Sequence, residues 1–214
     1  TLSQPIQPIN PLTGSGLILV RPKYPENIGA SARIACNFGI EQLTVVAEKP
    51  PDQERMLKMA THKAAHLIHE LRFLDNTREA AEPYHFIVGT TARQGKHRVL
   101  EKAPYAVMQE LALLAANHRL ALMFGPENSG LTNEDLDLCQ FTSTIPTADF
   151  SSLNLAQAVA IHCYELSMAI HRLEEPVKSD SESLYANSYD LEGMYEHLEQ
   201  ALTKITRSRQ NKTQ

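Results

Sequence analysis

The sequence predicts an α/β fold: a mostly parallel sheet with helices on both faces. Three observations carry this prediction. Short apolar runs of strand length, such as Leu17-Ile18-Leu19-Val20 and Leu43-Thr44-Val45-Val46-Ala47, alternate with stretches of helical spacing. Strand, helix and strand follow one another within about 30 residues, the length of a βαβ unit. Each apolar run also ends in a glycine, proline or polar loop. In an open parallel sheet that edge is where ligands bind.

Taken in order, Leu17 to Val20 is the first strand, stopped by Arg21-Pro22 and Pro25. From Asn27 to Phe38, the residues Ile28, Ala32, Ala35 and Phe38 recur at helical spacing, and Gly39 supplies a stop. Leu43 to Ala47 is the second strand, closed by Lys49-Pro50-Pro51. A polar helix is expected from Asp52 to Leu71 and a short one from Thr77 to Glu82. His85 to Val88 is a strand that runs into the loop Gly89-Thr90-Thr91-Ala92-Arg93, and residues 94–103 continue as loop.

Pro104 opens a helix at its first turn, where a missing N–H costs nothing. Leu120 to Phe124 is a strand ended by Gly125-Pro126, and Thr132-Asn133-Glu134-Asp135 has the pattern of a helix start. Phe141 to Ile145 is the last of about five strands, and a long apolar helix follows from Ser152 to Leu173. The start of the chain, 1–16, reads as a flexible leader. Residues 17–174 form the core domain, and 175–214 form a linker with a short helical extension.

Composition narrows the function. A hydrophobic fraction of 43% in 214 residues fills an ordinary core, and no apolar run is long enough to span a membrane. Cys36, Cys139 and Cys163 are odd in number and widely spaced. That argues against a disulfide framework or zinc site and for a reducing, cytoplasmic setting. His62, His66 and His69 share a helical face, but no cysteine or carboxylate cluster completes a metal site there, so they read as a solvated face. No dinucleotide fingerprint, phosphate loop or serine elbow is present. The net charge of −5 means that any contact with nucleic acid must rest on local basic patches.

Three loops carry the chemistry: Asn27-Ile28-Gly29-Ala30-Ser31-Ala32-Arg33, Phe124-Gly125-Pro126-Glu127-Asn128-Ser129-Gly130-Leu131, and Ile145-Pro146-Thr147 with Ser151-Ser152-Leu153-Asn154-Leu155-Ala156-Gln157. Each follows a predicted strand, so all three can meet at one sheet edge. Taken singly they are open to plain readings. Arg33 suits a surface ion pair, Glu127 a turn, and Ser152 a helix cap.

Together, and with Gly89-Thr90-Thr91-Ala92-Arg93, the loops resemble the SPOUT, or trefoil-knot, RNA methyltransferases that modify ribose 2′-hydroxyls. The nearest branch is the tRNA (cytidine/uridine-32)-2′-O-methyltransferase type, and the resemblance runs from about Leu17 to Leu173. It implies a C-terminal trefoil knot, S-adenosylmethionine as cofactor, a homodimer, and an RNA substrate, most readily the tRNA anticodon loop.

The resemblance also implies site residues. Arg33, Asn27, Glu127, Ser152 and Asn154 would form the catalytic group. Thr90, Thr91, Ala92, Gly125, Pro126, Ile145, Ser152, Leu153 and Asn154 would hold the cofactor, largely through their backbone. On local charge, RNA contacts would come from Arg21, Lys23, Arg93, Lys96 and Arg98, with His97 and Lys102 nearby, and would be salt-sensitive. Two alternatives stay open: a ribosomal RNA methyltransferase of the same fold, and a knotted RNA-binding protein without catalysis.

Overall fold

The strands are apolar on both sides because helices cover both faces of the sheet. The structure, a computed structural model, describes residues 12–91, 102–148 and 153–174. The leader as far as residue 11, the linker and the terminal helix lie outside the described residues. Six strands, β1 (Gly16–Val20), β2 (Gln42–Val46), β3 (Arg72–Leu74), β4 (Phe86–Thr90), β5 (Leu120–Phe124) and β6 (Phe141–Ser143), form one sheet. Its order is β3-β2-β1-β5-β4-β6, and every pairing is parallel. The helices are α1 (Pro25–Phe38), α2 (Gln53–His69), α3 (Thr77–Ala81), α4 (Pro104–Ala115), α5 (Asn133–Leu136) and α6 (Leu155–Glu174).

The period of two along each strand sorts its side chains between two cores. Leu17, Leu19, Leu43, Val45, Val88, Leu122 and Phe124 face the larger core, built with α1, α2, α4 and α6. Ile18, Val20, Val46, Ile87, Ala121 and Met123 face a smaller one, covered by α3, Leu131 and Leu136. The α/β class and the helices on both faces agree with the sequence reading. On α1, Gly29 is required by packing. A Cβ there would stand 2.0 Å from the Met56 carbonyl oxygen of α2, so the two helices meet backbone to backbone with no room for a side chain.

Several boundaries differ from expectation, each for a local reason. The sheet has six strands, because β3 is a three-residue edge strand whose Arg72 and Phe73 are exposed and carry no alternating pattern. Gly89 and Thr90 finish β4 instead of starting a loop, because their backbone still pairs with β5 and β6. The strand expected from Phe141 to Ile145 stops at Ser143. Helix α2 is interrupted at Thr61, where φ is 63°. Helix α6 begins at Leu155, not Ser152, for a reason that belongs to the site.

Because all strands run the same way, the loops after β1, β4, β5 and β6 emerge at one edge. Strands β1 and β5 are neighbours, yet their chains leave toward opposite sides of the sheet, β1 to β2 and β5 to β6. Such a divergence opens a crevice at the C-terminal strand ends.

Candidate functional site

A cavity of about 280 Å³ opens at this edge, toward the lower end of the range for small-molecule pockets. Its walls come from three strand ends: Thr90 and Thr91 after β4, Gly125 to Gly130 after β5, and Ser143, Ile145 and Leu153 after β6. Leu155, Ala158 and His162 of α6 close it. The glycine at 125 is dictated by the turn. A Cβ there would lie 2.2 Å from the Leu131 nitrogen and 2.3 Å from the Gly130 carbonyl carbon, so the loop can fold back on itself only without a side chain. The return is fixed by the Gly130 N–H, which donates to the Pro126 carbonyl at 2.8 Å.

Beside the cavity, three polar side chains from distant parts of the sequence form one chain of hydrogen bonds. Asn154 Nδ2 donates to Asn27 Oδ1 at 2.9 Å, and Asn27 Nδ2 donates to Glu127 Oε1 at 2.6 Å. The other carboxylate oxygen of Glu127 accepts from the Lys23 backbone N–H at 2.8 Å. Both ends of this chain have a fixed polarity. An ionised carboxylate only accepts, and the free amides at the start of a helix only donate. Asn154 Oδ1 meets those amides, accepting from Ala156 N at 2.9 Å and Gln157 N at 3.4 Å. Gln157 Oε1 accepts from Asn154 N at 3.3 Å, completing a capping box. Asn154 is therefore the cap of α6, which is why the helix starts after it.

His162 forms part of the cavity wall and is fully buried. Burial lowers its pKa from 6.5 to about 4, partly opposed by the contact with Ala158, so the ring is neutral. Nδ1 lies 2.8 Å from the Ala158 carbonyl and therefore carries the proton. Nε2 then accepts from the Ser143 hydroxyl, 2.9 Å away. The ring edge also packs on Phe124.

A second carboxylate, this one buried, ties the edge together. Asp135, 4% exposed, accepts from Thr77 Oγ1 at 3.1 Å, from Thr132 N at 2.9 Å and Oγ1 at 2.8 Å, and from the Arg21 guanidinium. Burial pushes its pKa upward, but the bonds from Arg21 and Thr132 outweigh that and leave it below the ordinary carboxylate value.

The structure thus brings Asn27, Glu127 and Asn154 into one network, and places Thr90, Thr91, Gly125, Pro126, Ile145 and Leu153 on the cavity wall. Arg33 is exposed on α1 and is not among the cavity's lining residues. Arg21 is engaged with Asp135, and Lys23 Nζ stands 5.3 Å from the centre of the Tyr24 ring. Ser152, Ala92, Arg93, Lys96 and Arg98 lie outside the described residues. Among the described residues no group of three or more His, Cys, Asp or Glu could hold a metal, and no helix is long and apolar enough to cross a membrane. Sequence reasoning missed Ser143, His162 and the Arg21–Asp135 pair. For His162, the available signal was its spacing from Leu155 and Ala158 on one helix face.

Comparison with known proteins adds a family. Residues 15–164 match the SpoU rRNA Methylase family. The chain is 35% identical over 153 residues to the tRNA (cytidine-2′-O-)-methyltransferase TrmJ of Methanocaldococcus jannaschii, covering 70% of this chain and 66% of that protein. It is 33% identical over 208 residues to the tRNA (cytidine/uridine/adenosine-2′-O-)-methyltransferase TrmJ of Pseudomonas aeruginosa, covering 88% and 77%. The crystal structure of TrmJ from Z. mobilis superposes with a TM-score of 0.65 at 32% identity, covering 90% and 81%. The SpoU methyltransferase AviRb from Streptomyces viridochromogenes, solved in complex with AdoMet, shares the fold at a TM-score of 0.57 and 23% identity, covering 75% of this chain and 58% of that one.

Proposed function

The chain belongs to the SpoU rRNA Methylase family, and from that premise we propose that it is an S-adenosylmethionine-dependent methyltransferase acting on ribose 2′-hydroxyls of transfer RNA. The observation that carries the reading is the Asn154–Asn27–Glu127 chain beside a cavity built from three strand ends. The tRNA substrate follows from the relatives named for it, and it sets the chain at work in the cytoplasm.

The cavity suits the cofactor. Its walls mix apolar Phe124, Ile145, Leu153 and Leu155 with the polar backbone of two loops, and the glycine at 125 keeps that backbone uncovered. Thr90, Thr91, Gly125, Pro126, Ile145 and Leu153 would hold it, with Ala92 and Ser152 added from the sequence. When bound, S-adenosylmethionine supplies a methyl group already activated by its sulfonium, so no metal or acid is required.

The protein's task is then with the nucleophile. A ribose hydroxyl is a very weak acid, so the site must hold that oxygen in line and stabilise the charge it develops. Asn27 and Asn154, with polarity locked by Glu127 and by the amides of α6, are a rigid edge for that purpose. Arg33 provides the charge. Its guanidinium is a cation with a planar fork of donors, and can bind a backbone phosphate and polarise the hydroxyl together.

Arg33 is six residues from Asn27 on α1, which turns it about 120° away from Asn27 around the axis. One copy therefore does not present both to one cavity, and this supports a homodimer in which Arg33 serves the site of its partner. The proposal includes the trefoil knot implied by the family resemblance, with α6 threaded through it. RNA would be met by Lys23, Arg93, Lys96 and Arg98, which makes activity salt-dependent.

Incubation with tRNA transcripts and labelled donor, followed by mapping of 2′-O-methyl groups, tests the reading. Methylation of one anticodon-loop nucleotide is expected. Arg33→Ala should retain binding of S-adenosylhomocysteine within about threefold while losing most transfer. Normal turnover by that variant refutes the role given to Arg33, and absence of donor binding by the parent chain refutes the enzyme. The family's description also favours ribosomal RNA. Methylation of rRNA fragments in place of tRNA would establish that second reading.

A further inference from the structure

The crevice between β1 and β5 is bridged twice, and only one of the bridges contains residues of the proposed reaction. The first is Glu127, which receives Lys23 N and Asn27 Nδ2. The second is Asp135, which receives the side chain of Arg21 across 114 residues of sequence. Both run between the same two segments, the loop from β1 to α1 and the loop from β5 to α5.

Several features show that the second bridge is built into the fold. Arg21 takes a φ of 50°, a left-handed conformation that non-glycine residues rarely adopt. Its N–H is held there by the Val46 carbonyl at 2.7 Å. The turn sends its guanidinium to Asp135, whose carboxylate has just 5% of its side-chain surface exposed. Asp135 also makes the capping box of α5 with Thr132 and takes a bond from Thr77 at the start of α3. One carboxylate therefore fixes the β1 exit, the α3 start and the far end of the Gly125–Leu131 loop.

The consequence for the site is geometric. Lys23 and Asn27 lie two and six residues beyond Arg21, and Glu127 lies eight residues before Asp135. With the ends of both loops pinned, Glu127 meets Asn27 at 2.6 Å and the amide polarity follows. Without the pin, Glu127 alone ties the two segments together through the side-chain bonds described above.

We propose that Arg21 and Asp135 are positioning residues of the methyl-transfer site: they clamp the two loops so that Glu127 holds Asn27, and Arg21 serves this clamp and not the RNA phosphates. This rests on the methyltransferase reading. It predicts a defect in kcat larger than any defect in donor binding, because a shift of an ångström at a reacting edge is costly, while Thr90, Thr91, Ile145 and Leu153 of the cavity wall lie outside both bridged segments.

The test uses the full chain carrying Arg21→Met, Asp135→Asn, or both. Arg21→Met is the safer variant, since that side chain is 43% exposed. For each, the folded fraction is measured by thermal melting, S-adenosylhomocysteine binding by calorimetry, kcat and KM on a tRNA transcript, and RNA affinity as a function of salt. The expected result is a fall in kcat of tenfold or more per folded molecule, with donor affinity within about threefold of the parent. The double variant should be no worse than the single ones, and the salt slope unchanged. Unaltered kcat per folded molecule overturns the proposal, and so does a salt slope reduced by about one phosphate contact in Arg21→Met. A parent chain that neither binds the donor analogue nor turns over overturns the methyltransferase reading itself, an outcome distinct from an active parent with unaffected variants.

Discussion

His162 makes the stability of this protein depend on pH within a narrow window. In the unfolded chain its imidazole titrates near 6.5, and in the folded chain burial lowers that to about 4. Between the two values the unfolded state binds a proton that the folded state does not, so acidification favours unfolding. Stability is therefore complete above about pH 6.5 and is lost as pH falls toward about 4. At about 1.4 kcal/mol per pH unit, the whole gap is worth about 3 kcal/mol, of which about 2 kcal/mol disappears between pH 7 and pH 5. Asp135 works in the same direction but in another range. Its depressed pKa yields stability that is lost only below the ordinary value of 3.8.

The perturbation is the double replacement Ser143→Ala with His162→Leu, which removes both partners of the 2.9 Å bond and leaves no buried polar group unpaired. The assay is urea unfolding followed by circular dichroism at pH 7 and pH 5. Groups common to both proteins cancel in the difference. The parent should lose about 2 kcal/mol more than the variant over that interval. Equal losses would refute the assignment of a neutral, solvent-excluded ring at position 162.

Three further outcomes follow from the site. Gly125→Ala places a methyl 2.2 Å from the Leu131 nitrogen, so calorimetry should show binding of S-adenosylhomocysteine weakened at least about tenfold. Asn154→Ala removes the α6 cap and should cost about 1 kcal/mol in urea unfolding. Asn154→Asp keeps the cap but cannot donate to Asn27, so it should restore stability and not turnover. Mixed dimers of Arg33→Ala and Asn154→Asp chains should recover activity that neither homodimer has, since one site per pair regains both groups. Absence of recovery in co-purified mixed dimers would place Arg33 in the site of its own chain.

The sheet was legible because its central strands are buried on both faces. Leu17 to Val20 and Leu120 to Phe124 contain no polar residue to blur them, and Pro104 marked a helix start that the structure retains, whereas Pro25, read as a breaker, opens α1 two residues before the expected Asn27. Strand β3 was not legible, since three residues at a sheet edge need neither alternation nor apolar character. In the site, Asn27, Glu127 and Asn154 were readable as a motif, yet their bonding order was not. Which amide donates depends on a carboxylate 100 residues away and a helix that starts at 155. Asp135 was readable as a helix-start residue because capping is local. Its hold on Arg21 is a long-range pairing, and no pattern within either segment announces it.

That pairing also bears on how an acidic protein could hold RNA. With a net charge of −5, each exposed arginine near the cavity is a natural candidate for phosphate contact. The structure divides these cations by what they face. Arg21 is committed to Asp135, Arg55 to Glu26 through two bonds of 2.8 and 2.9 Å, and Lys102 to Glu110. Cations already paired with carboxylates bring little attraction for a polyanion, because the pair presents no net charge. The attraction must come from cations not so committed, and among the described residues Lys23 and Arg33 are the two of these nearest to Asn27 in sequence. In the proposed homodimer, a phosphate backbone drawn to Lys23 passes the edge where Glu127 holds Asn27, and Arg33 meets it from the partner copy, so charge near the reacting edge can guide the substrate although the whole chain is acidic.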